Sequence, residues 1–531
     1  MNTGIPHATS AAQASYAPSL YNEDLAPTPV AKRTWSTWSY TALWLGMVSS
    51  AFAFAFLGTF IALGMSAAQA LTVVLVGAVV QTLLMSLTGR VGAKHGLPFA
   101  VWARTAFGQK GANLPAILRG LIAVGWFGVQ SYLGSTAVNL MISTAVPAWK
   151  DFADPYILGA PANLFISMIL FWGASFFALR NGMDTVRRLQ QWSGPLVFLA
   201  LVPPFIWAIN AAGGLGPIFT GPSSFDSTGS FLLMGLLPGV ALFISGSWAT
   251  MVLNYPDLTR FAKSNRKQFL GTVIGLPIGS VVFYGMSAVI VSGTQVATGK
   301  VLWNPSDILA EIGNPFMSFV GALIIAIATM ATNIAANLVS PSYDFTNALP
   351  KIFTFKRAGV FSIILAFLYL PWLIMDTPAF AAIMNNIGAI AGPATGILLA
   401  DYYLLRRQRV DIDALYTHGS VYRPYNWWNI GALLLATGFI ILSQFIPAIA
   451  GVYQYAPLVG IVLGMLLCLA FAPLARATGY ADMYEPSGEL GVENAALATE
   501  DAARAARSEL DLDLELTTEV QPDGSRSSDL D

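Results

Sequence analysis

The sequence predicts an all-α membrane protein with twelve transmembrane helices. Of its 531 residues, 55% are hydrophobic and only 10% are charged, whereas a soluble domain carries about 25% charged residues. Twelve apolar stretches also reach the length of about 20 residues that a helix needs to cross a bilayer. A chain of this composition could not keep its surface hydrated, so most of it must face lipid.

The twelve predicted spans, numbered segments 1 to 12, alternate with polar loops. Segments 3 and 8 are long and carry Gly, Asn and Pro, which indicates tilted or broken helices. The spans divide the chain into a cytoplasmic N-terminal segment (1–37), a transporter membrane domain (38–477) and an acidic, disordered cytoplasmic tail (478–531). The segments are 40–60, 67–88, 118–144, 160–179, 192–213, 231–253, 268–293, 314–340, 358–376, 379–401, 426–447 and 456–474.

Basic residues predict the orientation. With the N-terminus inside, 22 of the 27 Lys and Arg residues fall in cytoplasmic loops, whereas Lys150 and Lys300 fall outside. Because basic residues on short loops stay on the cytoplasmic side, we expect a multi-pass protein of the inner (plasma) membrane with both termini cytoplasmic. Residues 1–30 lack the basic and apolar regions of a cleavable signal, so segment 1 is expected to direct its own insertion.

The C-terminal tail differs from the rest of the chain in charge. From Gly479 onward it carries 14 Asp and Glu residues against three Arg. It is either a regulatory or partner-binding tail or a solvated extension, since it lacks enough apolar residues for a core. The single cysteine, Cys468, lies in an apolar segment and is expected to act as a small hydrophobe.

Two apolar segments are interrupted by small polar residues. Segment 1 contains the stretch 44–50 (WLGMVSS), and segment 6 contains 243–250 (FISGSWAT). The two segments occupy corresponding positions if the first ten helices form two five-helix halves. Paired interruptions of this kind indicate a midplane binding site in inverted-repeat transporters. The alternative is that Ser and Gly there only allow close packing of helices.

Segment 3 carries a polar amide beside an indole. Trp126 and Gln130 are four residues apart and share one helical face. The amide can donate and accept hydrogen bonds, and the indole offers a flat stacking surface. Together they suit a planar ring whose edge alternates C=O and N–H groups. The alternative is that Gln130 bonds a neighbouring helix and Trp126 only packs.

Segment 8 carries a polar stripe at helical spacing. Thr329 and Thr332 are three residues apart, and Asn333 and Asn337 are four apart. Asn337 is a candidate for the substrate edge, and the Thr332 hydroxyl for a monovalent cation, because neutral oxygens without a full counter-charge suit such an ion. The alternative is that the threonines bond their own helix and the asparagines join helices.

The sequence also excludes several functions. No Asp, Glu, Lys, Arg or His lies at mid-depth in any segment, so a buried proton carrier is not evident and the substrate must be neutral or pair with backbone dipoles. There is no phosphate-binding Walker A loop and no nucleophile with a nearby base, so neither ATP-driven transport nor an enzyme is indicated. No cofactor, nucleic acid or obligatory protein partner is expected; the expected partners are a small molecule and the lipid bilayer.

Five motifs in order resemble the nucleobase–cation symporter-1 family, over residues 21–476. The resemblance implies the five-plus-five inverted repeat of leucine-transporter-like proteins, two added C-terminal helices and alternating access. It also implies that Trp126 and Trp248 sandwich a ring, that Gln130 and Asn337 bind its amide edge, and that a gate residue lies near Met384. The motifs are NEDLAP (22–27) with RTW (33–35), WFGVQ (126–130), GSW (246–248), NIAANLVSP (333–341), and GPATGI (392–397) with DYY (401–403).

The resemblance further implies a sodium site, with departures from the family pattern. Its ligands would be carbonyl groups of Gly46, Ser49 and Ala328 and the hydroxyl group of Thr332. A second family hydroxyl is replaced by Ala331, so the coupling ion is expected to be sodium or a proton. In hydantoin-transporting members, Gln stands at the position of Ser50 and Gly at that of Ser247. Both changes alter the edge of the expected substrate pocket.

The predicted function is therefore a cation-coupled symporter that imports a nucleobase or a related cyclic amide such as uracil, allantoin or a hydantoin. Two alternatives remain at this point. One is a symporter of the same fold for another solute, such as a vitamin precursor or an amino acid. The other is a non-transporting membrane receptor whose acidic tail carries the output.

Overall fold

The computed structural model describes residues 16–180, 183–215, 219, 223–300, 302, 304–374 and 378–484. Each of the twelve predicted segments contains helix within the described residues. Ten helices in this part of the chain are long and apolar enough to cross a membrane. The other two segments are also present: segment 1 is split into two helices of 12 residues, and segment 11 is a helix of 17 residues.

Several segments contain a turn that departs from regular α-helical geometry. Segments 6, 7 and 8 contain π-helical turns within a continuous helix, two of them in segment 6, and segment 10 ends in a π-helical turn. The bounds are Thr37–Val48 and Ala51–Ala62 (segment 1), Ala67–His95 (2), Asn113–Ala145 (3), Ala162–Arg180 (4), Met183–Ala211 (5), Thr228–Ser230, Phe231–Leu236, Leu237–Phe243, Ile244–Trp248 and Ala249–Thr259 (6), Asn265–Val273, Ile274–Ile278 and Gly279–Thr298 (7), Pro315–Asn333, Ile334–Leu338 and Val339–Ala348 (8), Phe355–Leu368 and Pro371–Ile374 (9), Pro378–Leu399 and Ala400–Leu405 (10), Trp427–Ser443 (11) and Ala456–Ala475 (12).

Shorter elements connect the segments. Two helices, Phe99–Phe107 and Pro305–Ile312, lie in the connections after segments 2 and 7. The connection after segment 3 carries a two-stranded antiparallel sheet, in which Tyr156–Ile157 pairs with Ala160–Pro161. The 3₁₀ turns are Glu23–Leu25, Val30–Lys32, Pro147–Ala153, Asp413–Leu415, Ala450–Tyr455 and Ala481–Met483, and a π turn, Arg476–Tyr480, follows segment 12.

Segment 3 is a central helix of the molecule. It packs along segment 8, and segment 5 packs against both segment 1 and segment 8. This arrangement brings the interrupted part of segment 1 close to the polar stripe of segment 8. Segments 10 and 12 form a separate close pair, in which a Cβ on Gly396 would lie 2.0 Å from the carbonyl oxygen of Ile461.

Residues before segment 1 and after segment 12 pack against the same end of the helix bundle. Arg104 is fully buried and donates hydrogen bonds to the carbonyl oxygens of Leu20 and Leu415. Tyr484, the last described residue, is also buried and lies against the guanidinium of Arg406. At this end of the bundle, the buried guanidinium of Arg104 therefore donates hydrogen bonds to backbone carbonyl groups from distant parts of the chain instead of facing solvent.

Arg119 is one of the 22 basic residues counted above in cytoplasmic loops, although it lies at the start of predicted segment 3, and the structure corrects that assignment. The helix of segment 3 begins at Asn113, so Arg119 lies within its second turn. The side chain is buried and forms an ion pair with Asp344 of segment 8, with Nη1 3.3 Å from Oδ2. The helix can extend past its apolar part because this pairing compensates the buried charge.

Candidate functional site

A small cavity lies where segments 1, 3, 6, 7 and 8 meet. Its volume is about 20 Å³, enough for about one or two water molecules. A ring-sized ligand would therefore require the lining side chains or helices to move apart. The lining residues are Ser50, Ala53, Trp126, Gln130, Gly246, Ser247, Thr250, Met251, Tyr284, Ala336 and Asn337. Five residues predicted from the sequence to contact substrate are thus brought together here.

Gln130 presents a hydrogen-bond acceptor to this cavity. The residue is 5% exposed, and its Oε1 has no hydrogen-bond partner among the described residues. An unpaired buried acceptor costs about 1–3 kcal/mol. Trp126 lies four residues earlier in the same helix and lines the same cavity. This arrangement suits a ligand that donates an N–H group and offers a flat face.

Asn337 is held in place by a chain of amides between segments 8 and 3. Its Nδ2 donates to Oδ1 of Asn333 at 3.0 Å. The Nδ2 of Asn333 in turn donates to the carbonyl oxygen of Phe127 and to Oγ of Ser131, both at 3.0 Å. Asn333 therefore joins the two helices, as the packing interpretation predicted, while Asn337 lines the cavity at a π-helical turn. Such turns occur frequently at functional sites.

The two polar interruptions take different forms. Segment 1 is broken: its first helix ends at Val48, Ser49 has non-helical dihedral angles, and Oγ of Ser50 accepts a hydrogen bond from the backbone N–H of Ala53. Segment 6 is not broken but widened, since Ile244–Trp248 is a π-helical turn between two α-helical stretches. Both interruptions contribute residues to the cavity.

Ser247 is oriented by a residue that the sequence interpretation missed. Gln81 of segment 2 is fully buried, and its Nε2 donates to Oγ of Ser247 at 3.1 Å and to the carbonyl oxygen of Ile244 at 3.4 Å. The Ser247 hydroxyl itself donates to the carbonyl oxygen of Phe243. A Gln in the middle of an apolar segment was the available signal, but its partner lies 166 residues away in sequence.

Trp248 and Met384 are the two remaining residues predicted to contact substrate. The side chains of Trp248 and Met384 lie outside what the structure describes, although the backbone of each is helical. Trp248 follows Ser247 in the widened turn of segment 6. Tyr284 and Met251 were not predicted but line the cavity, and so does Thr250, the last residue of the polar stretch 243–250.

Three of the predicted cation-site residues lie together at the break in segment 1. The Thr332 hydroxyl donates to the carbonyl oxygen of Gly46 at 2.8 Å. The Ser49 hydroxyl donates to the same oxygen at 2.9 Å. Ala328, the fourth, is buried one helical turn before Thr332, and Ala331 beside it brings no hydroxyl group. The oxygens present fit a sodium ion in type, but this set has one side-chain oxygen fewer than the family pattern.

A second, smaller cavity lies along segment 3 toward the buried ion pair. Its volume is about 10 Å³, and Arg119 lines it together with Thr250, which also lines the first cavity. Arg119 and Asp344 belong to a buried group with Asp257, whose Oδ2 accepts a hydrogen bond from Ser340 at 2.9 Å. This charged group joins segments 3, 6 and 8 at the end where Arg104 is buried.

Comparisons with known proteins agree with the fold and with the resemblance. A family described as permease for cytosine/purines, uracil, thiamine, allantoin matches residues 27–468. The chain is 36% identical over 452 residues to the allantoin permease of Bacillus subtilis (strain 168), covering 84% of this chain and 92% of that protein. It is 31% identical over 444 residues to a purine-uracil permease of Arabidopsis thaliana, covering 83% of this chain and 72% of that protein.

Solved structures share the fold. A nucleobase-cation-symport-1 transporter, Mhp1, in a closed conformation with bromovinylhydantoin bound superposes with a TM-score of 0.73 at 22% identity, covering 88% of this chain and 99% of that one. A sodium-coupled sialic acid symporter reaches a TM-score of 0.55 at 14% identity, covering 87% of this chain and 95% of that one. At these identities the likeness concerns the fold alone.

Proposed function

Because the chain belongs to the nucleobase–cation symporter-1 family of permeases, and is a membrane transporter and not an enzyme, we propose that it imports a neutral cyclic amide with a coupling cation. Allantoin is the first candidate, since the permease from Bacillus subtilis with which it shares 36% identity bears that name. Uracil and hydantoins follow, as names of more distant relatives.

The observation that carries the proposal is the unpaired Oε1 of Gln130 in the cavity wall. A cyclic amide would donate its ring N–H group to this oxygen. The Asn337 side chain would contact the neighbouring edge of the ring, and Trp126 would stack on one face. Trp248 is proposed for the other face and Met384 for the gate, on the family pattern alone. Base–aromatic stacking contributes about 1–3 kcal/mol.

Mechanistically, the interrupted helices would supply both the polar surface and the points of bending. The break at Ser49–Ser50 and the widened turn at Ser247 leave backbone groups without regular helical partners, which is tolerated only where they line a cavity. The coupling ion is sodium or a proton. A sodium ion would be held by oxygens of Gly46, Ser49, Ala328 and Thr332. Because these ligands come from segments 1 and 8, the bound ion would hold the two segments together.

We also propose the orientation and the domain limits that the sequence predicts. The protein would lie in the inner (plasma) membrane with both termini cytoplasmic, since the basic residues are concentrated on one side. Residues 1–37 would form the cytoplasmic N-terminal segment, 38–477 the transporter domain and 478–531 the tail. Transport would require the bilayer and a small molecule, without an obligatory protein partner.

Thermal unfolding of the purified protein tests the substrate class. Allantoin, uracil, hydantoin, cytosine, a purine and thiamine would be added in turn, because a ligand that binds the folded state raises its stability by mass action. We expect at least one cyclic amide to raise the melting temperature. In the variant Gln130→Leu, the ligand concentration needed for the same rise in melting temperature should increase about tenfold or more. The reason is that the hydrogen bond from the ring to Gln130 is removed.

Gln295→Leu is the matched control, because Gln295 is exposed at the end of segment 7. It should respond to the ligand as the unmodified protein does. A response to none of the cyclic amides, or an unchanged response in Gln130→Leu, would contradict the proposal. A response to thiamine alone would instead support the vitamin-transporting alternative.

A further inference from the structure

Three buried polar atoms of segment 5 lie together without partners. Neither Oε1 nor Nε2 of Gln190 has a hydrogen-bond partner among the residues described, and the same holds for Oγ of Ser193. The two side chains are 1% and 2% exposed. Because buried polar groups are nearly always hydrogen-bonded, such a group of unpaired atoms needs an explanation, such as an ion or water that binds there.

These atoms face the break in segment 1. A Cβ placed on Gly46 would lie 2.0 Å from Oε1 of Gln190 and 3.6 Å from Oγ of Ser193, so only a glycine leaves room for them. Gly194 lets the two helices approach further, since a Cβ there would lie 2.9 Å from the backbone nitrogen of Gly46. The Gln190 amide is therefore held against the residue whose carbonyl oxygen accepts hydrogen bonds from Thr332 and Ser49.

The chemistry of this group of atoms selects the class of ligand. Its oxygens come from an amide, hydroxyl groups and a backbone carbonyl, and all of them are neutral. No cluster of three or more His, Cys, Asp or Glu residues that could hold a metal occurs in the described part of the chain. Divalent cations usually require carboxylates, so a monovalent cation fits better. The amide can also turn over, so that its oxygen faces the ion.

We propose that Gln190, assisted by Ser193, completes a sodium site with the Gly46 carbonyl and the Thr332 hydroxyl. The side-chain oxygen of Gln190 replaces the hydroxyl that is absent at Ala331, so the ligand comes from segment 5 instead of segment 8. This inference rests on the proposed function, since it assigns the coupling ion of that symporter. Sodium binding would then join segments 1, 5 and 8, which already pack together.

A sodium titration without substrate tests the site directly. The melting temperature of the purified protein would be measured in sodium chloride and in potassium or choline chloride, at constant ionic strength. We expect sodium alone to stabilise the unmodified protein. In Gln190→Leu, the sodium concentration for half of the effect should rise about tenfold or more, because metal affinity falls when a supporting group is removed. Ser193→Ala should weaken the response in the same direction.

Two further variants separate the site from general packing. Gln191→Leu changes the same residue type one position later, where the side chain bonds Ser39, and should keep the sodium response. Ala331→Ser in the Gln190→Leu background should restore much of the response, because it supplies a hydroxyl at the family position. A merely structural role of Gln190 would not predict this rescue.

The outcomes distinguish this inference from the proposed function. If a cyclic amide stabilises the protein but sodium acts no differently from choline, the sodium site is wrong and the transport proposal stands. If Gln190→Leu responds to sodium as the unmodified protein does, Gln190 is not a ligand. If sodium stabilises the protein and no cyclic amide does, the site stands and the proposed substrate class falls. Should Gln190→Leu fail to fold, Ser193→Ala provides the same test.

Discussion

Single amide side chains determine what the central cavity can bind. Gln130 offers an acceptor that has no partner among the described residues, and Asn337 is fixed by the amide of Asn333. Gln81 fixes the Ser247 hydroxyl from a third helix. A hydroxyl held in this way has its orientation set before the substrate arrives, which reduces the entropy lost on binding.

Replacing Gln81 should therefore weaken substrate binding without direct contact. Gln81→Leu removes the hydrogen bond to Ser247, and we expect a loss of affinity of about 1 kcal/mol, or about fivefold. Binding of the stabilising cyclic amide would be measured by calorimetry or by the shift in melting temperature. Gln444→Leu is the control, since Gln444 bonds the end of its own helix at Ile441. Equal affinities in the two variants would show that Gln81 does not orient the site.

Five of the residues that line this cavity were named from the sequence. Trp126, Gln130 and Asn337 were singled out because polar or flat groups stood in apolar helices. Ser50 and Ser247 lie in the two polar interruptions, and the family resemblance assigned them to the edge of the pocket. All five line the cavity. Tyr284 and Gln81 were not selected from the sequence. Their roles depend on which helices become neighbours, and hydrophobic periodicity carries no information about pairing between distant segments.

Helices in this protein approach one another through glycines. In segment 10 a Cβ on Gly396 would lie 2.0 Å from the carbonyl oxygen of Ile461, and in segment 12 a Cβ on Gly464 would lie 2.3 Å from that of Pro393. Such contacts replace the hydrophobic effect, which is absent between helices in lipid. The break in segment 1 was predicted from its polar residues, but the widened turn of segment 6 was not, because the same residue types allow either geometry.

Gly396→Ala should separate segments 10 and 12. The added methyl group meets backbone atoms that cannot move aside, so we expect a destabilisation of about 1–3 kcal/mol. Unfolding in detergent with increasing denaturant would measure it. Gly438→Ala in segment 11 is the matched control, since its Cβ would have no atom within 4 Å and should stabilise the helix by about 0.5–1 kcal/mol. Similar stabilities for both variants would contradict this account of the helix contact.

At the scale of the whole molecule, charge is distributed very unevenly. The buried Arg104, Arg119 and Arg406 lie in one layer, where they bind carbonyl oxygens or carboxylates. Most other basic residues lie in the loops predicted to share that side. Basic loops are retained on the cytoplasmic side during insertion, so this layer is proposed to be the cytoplasmic face. The helix count alone could not decide this, because an inverted molecule would have the same helices.

Labelling of single cysteines tests the orientation. Cys468 is the only cysteine and is fully buried, so Cys468→Ala gives a background without reactive thiols. Lys150→Cys and Lys263→Cys then place one thiol in an exposed position after segment 3 and after segment 6. A membrane-impermeant maleimide added to intact cells should label Lys150→Cys and leave Lys263→Cys unlabelled. After the membrane is opened, both should react, which controls for accessibility. The reverse pattern would mean that the molecule has the opposite orientation. Labelling of both in intact cells would mean that an even number of spans, and not the predicted three, separates the two loops.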